Sequence, residues 1–485
     1  MIWIKENQME SKSLITTAIA YANGVPHIGH AFEFVMADAI ARSARFSHNV
    51  YFITGMDEHG QKIEEKAKEK NIPVQELVDS FADTFKSLNK ELGVSYDYFV
   101  RTSNKERHYV GAQALWNVLL KKGDLEKRIY KALYCVGCEE FKNESDLNEH
   151  GECPAHLKKP EIVKEENWFF TLSKYTTAIK EKIENGELRI YSETRKNEII
   201  ALLDRGLEDI SFSRPKSKVS WGIPVPNDDS QVMYVWCDAL SNYITAIGYG
   251  TDSFDKERWS DTTHVIGKDI LRFHAAIWPG MLLSADLPLP KNILVHGHIT
   301  SGGQKMSKSL GNVIDPKEMI ELFKVSCGEL AGEALRFALL YRIPSFDDGD
   351  LTVETIKETY TAHLANGIGN LTNRIMKMAT THNVQIDSIQ GKVAPIILEK
   401  YDVHMAAKAL TEAMSKLDEY IAINEPFKVI KQDEAKGKEM ILSCLTSLVG
   451  IANSLSIFMP QTSVKILECI HENKMPEKPL FNRLS

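Results

Sequence analysis

Apolar and β-branched residues run from Leu14 to Tyr21 (LITTAIAY), a stretch that predicts a buried strand. The run breaks at Asn23-Gly24, Pro26 follows, and the period then changes. Ile28, Phe32, Val35, Met36, Ala39 and Ile40 recur at helical spacing, so a helix starts just past the proline. Val50 to Thr54 (VYFIT) predicts the next strand. Strand, helix and strand in this order make a βαβ unit, the seed of a parallel sheet with a nucleotide-binding crevice at its strand ends. Two more buried strands are expected at His264 to Gly267 and Ile293 to His296.

Between these halves the pattern weakens. Ile129 to Lys218 is rich in Lys and Glu, has little periodicity and holds three clustered cysteines, so it reads as an insertion outside the sheet. Beyond about Leu351, helix formers are dense and no strand run is convincing as far as about Ile470. All seven tryptophans precede this part, the last being Trp278. The fold class is therefore α/β: a split parallel-sheet domain, an inserted module and a C-terminal helical domain. The chain of 485 residues is long enough for several cores.

Composition changes this picture little. A net charge of −8 argues against a protein that coats nucleic acid through a basic surface, but leaves room for local RNA contacts. No uninterrupted apolar run reaches the roughly 18 residues of a membrane span, so no membrane partner is expected. The first residues, Met1 to Lys12, are polar and lack the apolar core of a signal peptide, which makes a cytoplasmic location the default. Seven cysteines, three of them between Cys135 and Cys153, point to a metal rather than to disulfides.

That cluster carries the first candidate chemistry. Cys135-x-x-Cys138 and Cys153-x-x-His156, separated by 14 residues, have the spacing of a zinc knuckle. Three thiolates and an imidazole complete a tetrahedral Zn²⁺ and leave no open position, so the ion is expected to be structural, one per chain. Gly137 and Gly151 are expected to supply the tight turns.

Two further motifs suit phosphate. His27-Ile28-Gly29-His30 opens the first predicted helix, where free amides and the helix dipole attract anions. His27 and His30 share a helix face and both can donate, while Gly29 leaves the backbone open to a nucleotide. Lys305-Met306-Ser307-Lys308-Ser309, after Gly302-Gly303, places two ammonium groups on a flexible loop, as the charge on a departing pyrophosphate requires. The two motifs in this order are the signature of class I aminoacyl-tRNA synthetases.

The residues between them resemble the methionyl branch of that family. The matching segments are Ala18 to Gly24, Thr54 to Gly60 (TGMDEHG), Ser220 to Pro226 (SWGIPVP), Tyr234 to Ala239 (YVWCDA), Gly267-Lys268-Asp269 with Phe273-His274, and His296-Gly297-His298. The resemblance implies a Rossmann-type catalytic domain and a helical bundle that binds the anticodon. It implies ATP, L-methionine and tRNA(Met) as partners, with Mg²⁺ accompanying ATP. Asp57 is implied as the holder of the methionine ammonium, in a pocket of Ile19, Tyr21, Trp236, Ala239, Leu240, Tyr243, Ile270 and His274. Gly267 and Asp269 are implied at the ATP ribose, and Lys305 and Lys308 at the phosphates, with Met306 and Ser307 in the same loop. Asn370, Arg374 and Phe427 are implied as anticodon readers, where Phe427 stands in place of the family's usual Trp. On these grounds the boundaries are expected at 13–128 and 219–300 for the split domain. The others are 129–218 for the insertion, 301–353 for the loop and stem-contact region, and 354–485 for the bundle. A monomer is expected. The rival readings are another class I synthetase, a nucleotidyltransferase without tRNA, and a non-enzymatic zinc-knuckle RNA binder.

Overall fold

The computed structural model describes residues 11–142, 146–306, 312–386 and 398–484. Strand β1 (Lys12–Thr17) pairs in parallel with β2 (Asn49–Asp57), whose far edge takes β3 (Tyr98–Arg101). Helix α1 (Ile28–Ala44) connects β1 to β2. The chain then leaves the sheet for an antiparallel pair, β4 (Leu125–Cys135) and β5 (Glu161–Phe170). It returns as β6 (Arg189–Tyr191), and β7 (Thr262–Gly267) and β8 (Asn292–His296) complete the sheet. The spatial order is β3-β2-β1-β7-β8-β6, every pairing parallel. The winding reverses between β1 and β7, so a crevice opens at their carboxyl ends.

Leu14 to Tyr21 is not one uninterrupted strand. Thr16 pairs with Ile53 and Ala20 with Met56, so the first strand carries one residue more than its partner between those rungs. The irregularity falls at Ala18 and Ile19, and it brings Tyr21 into register with Asp57 at the end of β2. A run without polar–apolar alternation gives no sign of where such an extra residue sits.

The insertion differs from expectation in two ways. Arg189–Tyr191 lies within it yet forms an edge strand of the main sheet. The β4–β5 ladder is long, from Leu125 opposite Phe170 to Tyr134 opposite Glu161. Its weak hydrophobic period has a physical cause: the buried face carries polar groups. Glu165 and Asn167 are buried there, Arg214 pairs with Glu165 at 3.1 Å, and the guanidinium lies 4.0 Å from the ring centre of Tyr134. Strands with a polar inner face do not announce themselves by alternation.

Past Asp350 the described residues hold no strand. After α2 (Val235–Thr245), in the second half of the sheet domain, the later helices include α3 (Ala331–Arg342), α4 (Asn370–Thr381), α5 (Val403–Asn424), α6 (Glu434–Phe458) and α7 (Pro460–Glu472). One apolar core joins Ile15 and Phe52 of the sheet, Val35 of α1, and Leu445, Leu448 and Phe458 of α6. By length and composition α6 alone among the described residues could cross a membrane, although polar residues interrupt its apolar run; 67% of its most apolar stretch is buried inside the protein.

Candidate functional site

At the crevice floor, α1 is capped by its own histidines. The Gly29 amide donates to His27 Nδ1 at 3.1 Å and the His27 amide donates to His30 Nδ1 at 3.2 Å. Each Nδ1 is thereby an acceptor, so each neutral ring carries its proton on Nε2 and offers it as a donor. The rings stack with centroids 3.8 Å apart, and His30 meets the edge of Phe85 at 5.1 Å. Burial, then the neighbouring His27, pushes the His30 pKa down to about 3, so it is a neutral donor at physiological pH. A Cβ on Gly29 would stand 3.0 Å from the His27 ring, so Gly29 first makes room for that imidazole. Glu33, one turn further on, takes part unannounced: its Oε2 lies 3.0 Å from His296 Nε2. The helical spacing of 27, 30 and 33 is the signal that could have found it.

On the β7 side, Gly267 allows the Asp269 carboxylate to fold back, since a Cβ there would meet Asp269 Oδ1 at 2.8 Å. His298 sits 3.9 Å from that oxygen and holds the Asp269 carboxyl below its usual range. Lys268 is engaged by Asp348 at 2.6 Å, and Asp348 also accepts from the His298 amide at 2.8 Å.

The basic loop begins at a tight hairpin. Ile299–Ser301 pairs with Gln304–Lys305 across Gly302 and Gly303, whose φ values of +61° and +73° demand glycine. The Gly303 amide donates to Asp350 Oδ1 at 2.8 Å. Met306 packs half-buried against the main core. Ser307 and Lys308 lie outside the described residues.

Four buried acids gather near the end of β2. Glu58 accepts from Arg101 Nε at 2.6 Å and from Ser103. Glu139 accepts from the Tyr21 hydroxyl at 2.8 Å and the Lys62 amide at 2.9 Å. Asp238 lies within 2.6 Å of ring nitrogens of both His59 and His108. Asp57 alone of the four keeps an oxygen, Oδ1, buried and without a hydrogen-bond partner. Burial, then the charges of Asp238 and Glu139, raises its pKa well above the carboxylate range. Such a group is stable as an anion only with a cation brought to it.

Most of the side chains expected around the amino acid's thioether pack together. Leu240 and Tyr243 are buried in one cluster that also takes the half-buried Ile19, Trp236 and Ile270; Ala239 is buried beside them on α2, and Tyr21 belongs to a neighbouring cluster. Tyr243 Oη is 2.6 Å from His274 Nε2, and His274 Nδ1 is 3.0 Å from the Ile270 carbonyl. His274 thus donates through Nδ1 and accepts from Tyr243, and burial pushes its pKa down to about 4. Phe273 is an addition: its ring stacks on Trp236 at 3.6 Å and 10°. Trp221, whose indole donates to the Glu58 carbonyl, is another.

The knuckle residues converge. Cys138 Sγ is 3.4 Å from Cys153 Sγ and 3.4 Å from His156 Nδ1, which lies 3.8 Å from Cys153 Sγ and 3.9 Å from Cys135 Sγ. Tetrahedral Zn²⁺ with bonds of ~2.3 Å to sulfur and ~2.0 Å to nitrogen separates its ligand atoms by ~3.5–3.8 Å. The four groups can therefore hold a metal ion. Gly151 turns with φ +70°, as expected. Gly137 serves differently: a Cβ there would stand 2.5 Å from the His156 ring, so it clears space for the ligand rather than permitting a turn.

In the helical region, Arg374 of α4 and Phe427 line an open groove of about 380 Å³ with Lys377, His382, Ile421 and Lys431. Arg374 is paired with Asp418. Asn370, the first residue of α4, is exposed and stands outside the groove lining.

This chain matches the family model "tRNA synthetases class I (M)" over residues 13–159 and 155–376. It is 38% identical to a Brucella suis biovar 1 protein named "Methionine--tRNA ligase", the match covering 95% of this chain and 92% of the relative. A Thermotoga maritima protein of the same name is also 38% identical, over 96% of this chain and 76% of its own. Mycobacterium tuberculosis methionyl-tRNA synthetase in complex with methionyl-adenylate superposes with a TM-score of 0.86 at 31% identity, covering 98% of this chain and 97% of that one. The free form of that enzyme gives 0.80 at 28% identity, with 98% of each chain covered.

Proposed function

This chain belongs to the class I tRNA synthetases, in their methionyl branch, and from that premise we propose that it activates L-methionine with ATP and transfers it to tRNA(Met). The observations that carry the amino-acid half of the reading are Asp57, the one acid of its cluster with an unpartnered buried oxygen, and the apolar cluster that takes Trp236, Leu240 and Tyr243. A primary ammonium on an unbranched apolar side chain fits both: the cation answers the carboxylate, and Trp236, Tyr243 and His274 suit a polarizable thioether.

In the first step the methionine carboxylate attacks the α-phosphate of ATP in line, and pyrophosphate leaves; Mg²⁺ bound with ATP would neutralise part of the phosphate charge. His27 and His30 donate through Nε2 to the phosphate oxygens on which charge grows, and Lys305 and Lys308 hold the leaving pyrophosphate. Gly267 and Asp269 hold the ribose, Asp269 accepting from a hydroxyl. In the second step the terminal ribose hydroxyl of the tRNA attacks the adenylate carbonyl, so the chain needs no nucleophile of its own. Asn370, Arg374 and Phe427 take the anticodon bases, by edge contacts and by stacking on the Phe427 ring.

Cys135, Cys138, Cys153 and His156 would hold one Zn²⁺, which supplies cross-linking of the inserted module rather than chemistry. Three cysteines in one site and outside any disulfide suit a reducing compartment, and we assign the protein to the cytosol, as a monomer. We assign 13–128 and 219–300 to catalysis, 129–218 to the inserted module, 301–353 to the loop and stem contact, and 354–485 to the anticodon.

The test is charging of tRNA(Met) with labelled methionine by the full chain and by Asp57→Asn. Loss of a charge-assisted contact lowers kcat/KM for methionine by about a hundredfold, with binding of ATP retained. Wild-type charging by Asp57→Asn would remove Asp57 from the amino-acid site.

A further inference from the structure

Asp238 is fully buried, and both of its oxygens are engaged by imidazoles from elements distant in sequence. His59, just past the end of β2, brings Nδ1 to 2.5 Å of Oδ2; His108, in the π-helical turn Lys105–Tyr109, brings Nε2 to 2.6 Å of Oδ1. The carboxylate accepts from both rings, which fixes the rest of the chain of contacts. His59 Nε2 meets the Tyr109 hydroxyl at 3.0 Å, and the His59 ring is closed in by the edges of Tyr109 and Trp221. His108 Nδ1 meets Thr245 Oγ1 at 2.9 Å.

This arrangement acts on one helix. Asp238 lies in the first turn of α2 and Thr245 is its last residue, seven positions on and so on the same face. One imidazole therefore grips α2 at both ends. Arg107, in the same turn, donates to the carbonyls of Thr245 and Ala246, where a cation also suits the helix dipole. The other imidazole ties that helix to the segment that carries Asp57, two residues before His59. Ala239, Leu240 and Tyr243 all ride on α2.

We infer that Asp238, gripped by His59 and His108, is a positioning residue for the amino-acid pocket, fixing α2 against the end of β2 and so the fit between Asp57 and the pocket wall. This rests on the reading of that pocket as the methionine site. The proposed ATP contacts lie elsewhere, at the start of α1 and the end of β7, on elements outside this network.

The experiment is ATP–pyrophosphate exchange on the full chain, with KM for methionine and KM for ATP measured for wild type, His108→Ala, His108→Gln and Asp238→Asn. Gln can still donate to Asp238 through its amide. Asn keeps the volume of Asp238 but loses its charge and must donate at one of the two positions, which weakens the grip without emptying the site, so it is the variant to read if His108→Ala does not fold. His108→Ala and Asp238→Asn raise KM for methionine about tenfold while KM for ATP stays within about twofold, and His108→Gln restores most of the loss. An unchanged KM for methionine in folded Asp238→Asn, or equal rises in both KM values, overturns the inference. Wild type that gives no exchange with methionine overturns the reading beneath it instead.

Discussion

His30 shows how a single residue's surroundings set its chemistry. Its Nδ1 caps the helix, its ring is held between His27 and Phe85, and its Nε2–H is what remains to donate. One well-aimed donor of this kind contributes about 3 kcal/mol to a charged transition state, so His30→Ala should lower the exchange rate by a hundredfold or more. Steady-state exchange with saturating substrates measures this, and a fall below tenfold would contradict it. The same residue makes a statement about acid. Its folded pKa, about 3, lies below its ordinary 6.5, so the unfolded chain binds the proton first as pH falls. Its contribution to stability is complete above about pH 6.5 and is lost as pH falls toward 3. His30→Gln should therefore lose less stability than wild type between pH 7 and pH 4.5, read from urea midpoints; equal losses would contradict the assignment. The residue types of this site were legible in sequence, because H-x-x-H at a helix start and a later K-x-x-K have few other uses together. That Asp57 alone among four acids keeps an oxygen without a partner was not, since it depends on Arg101, Tyr21 and His108 arriving from separate segments.

Among the elements, the convergence of the four knuckle residues was legible, because cysteine spacing is local. The role of Gly137 was not, because its neighbour, the His156 ring, comes from the other half of the motif. The two glycines now make opposite predictions. Gly137→Ala drives a methyl into the His156 ring and should lower zinc content well below one per chain, as measured by atomic absorption. Gly151→Ala, with φ +70° but open space around it, should keep the metal and cost about 1 kcal/mol. Equal zinc in both variants would contradict this account of the site. The long β4–β5 pair escaped the pattern for a related reason. Its inner face is built on Glu165, Asn167 and Arg214, and polar residues that satisfy one another inside carry no hydrophobic period. The extra residue at Ala18–Ile19 is similarly silent in sequence.

For the whole molecule, the sheet domain and the helical region are bolted together by charge as well as by the shared core. Arg336 of α3 is fully buried, lies 2.8 Å from Asp38 of α1, and donates to the carbonyls of Phe458 and Ile457 at the end of α6. The Arg336 and Arg42 guanidiniums beside it hold the Asp38 carboxyl at about 2 against the effect of burial. Removing one partner leaves the other charge buried, at a cost of about 3–5 kcal/mol. Arg336→Ala should lose that much by denaturant unfolding, and a loss below 1 kcal/mol would show the pair to be dispensable. This bolt joins the helix capped by His27 to the region holding Arg374 and Phe427, so the proposed phosphate and anticodon sites are tied to one frame. The central claim is that this frame serves methionine. ATP–pyrophosphate exchange driven by each of the twenty amino acids in turn, on the zinc-replete chain, tests it most directly. The account predicts exchange with methionine alone; equal or faster exchange with another amino acid, or none with any, would contradict it.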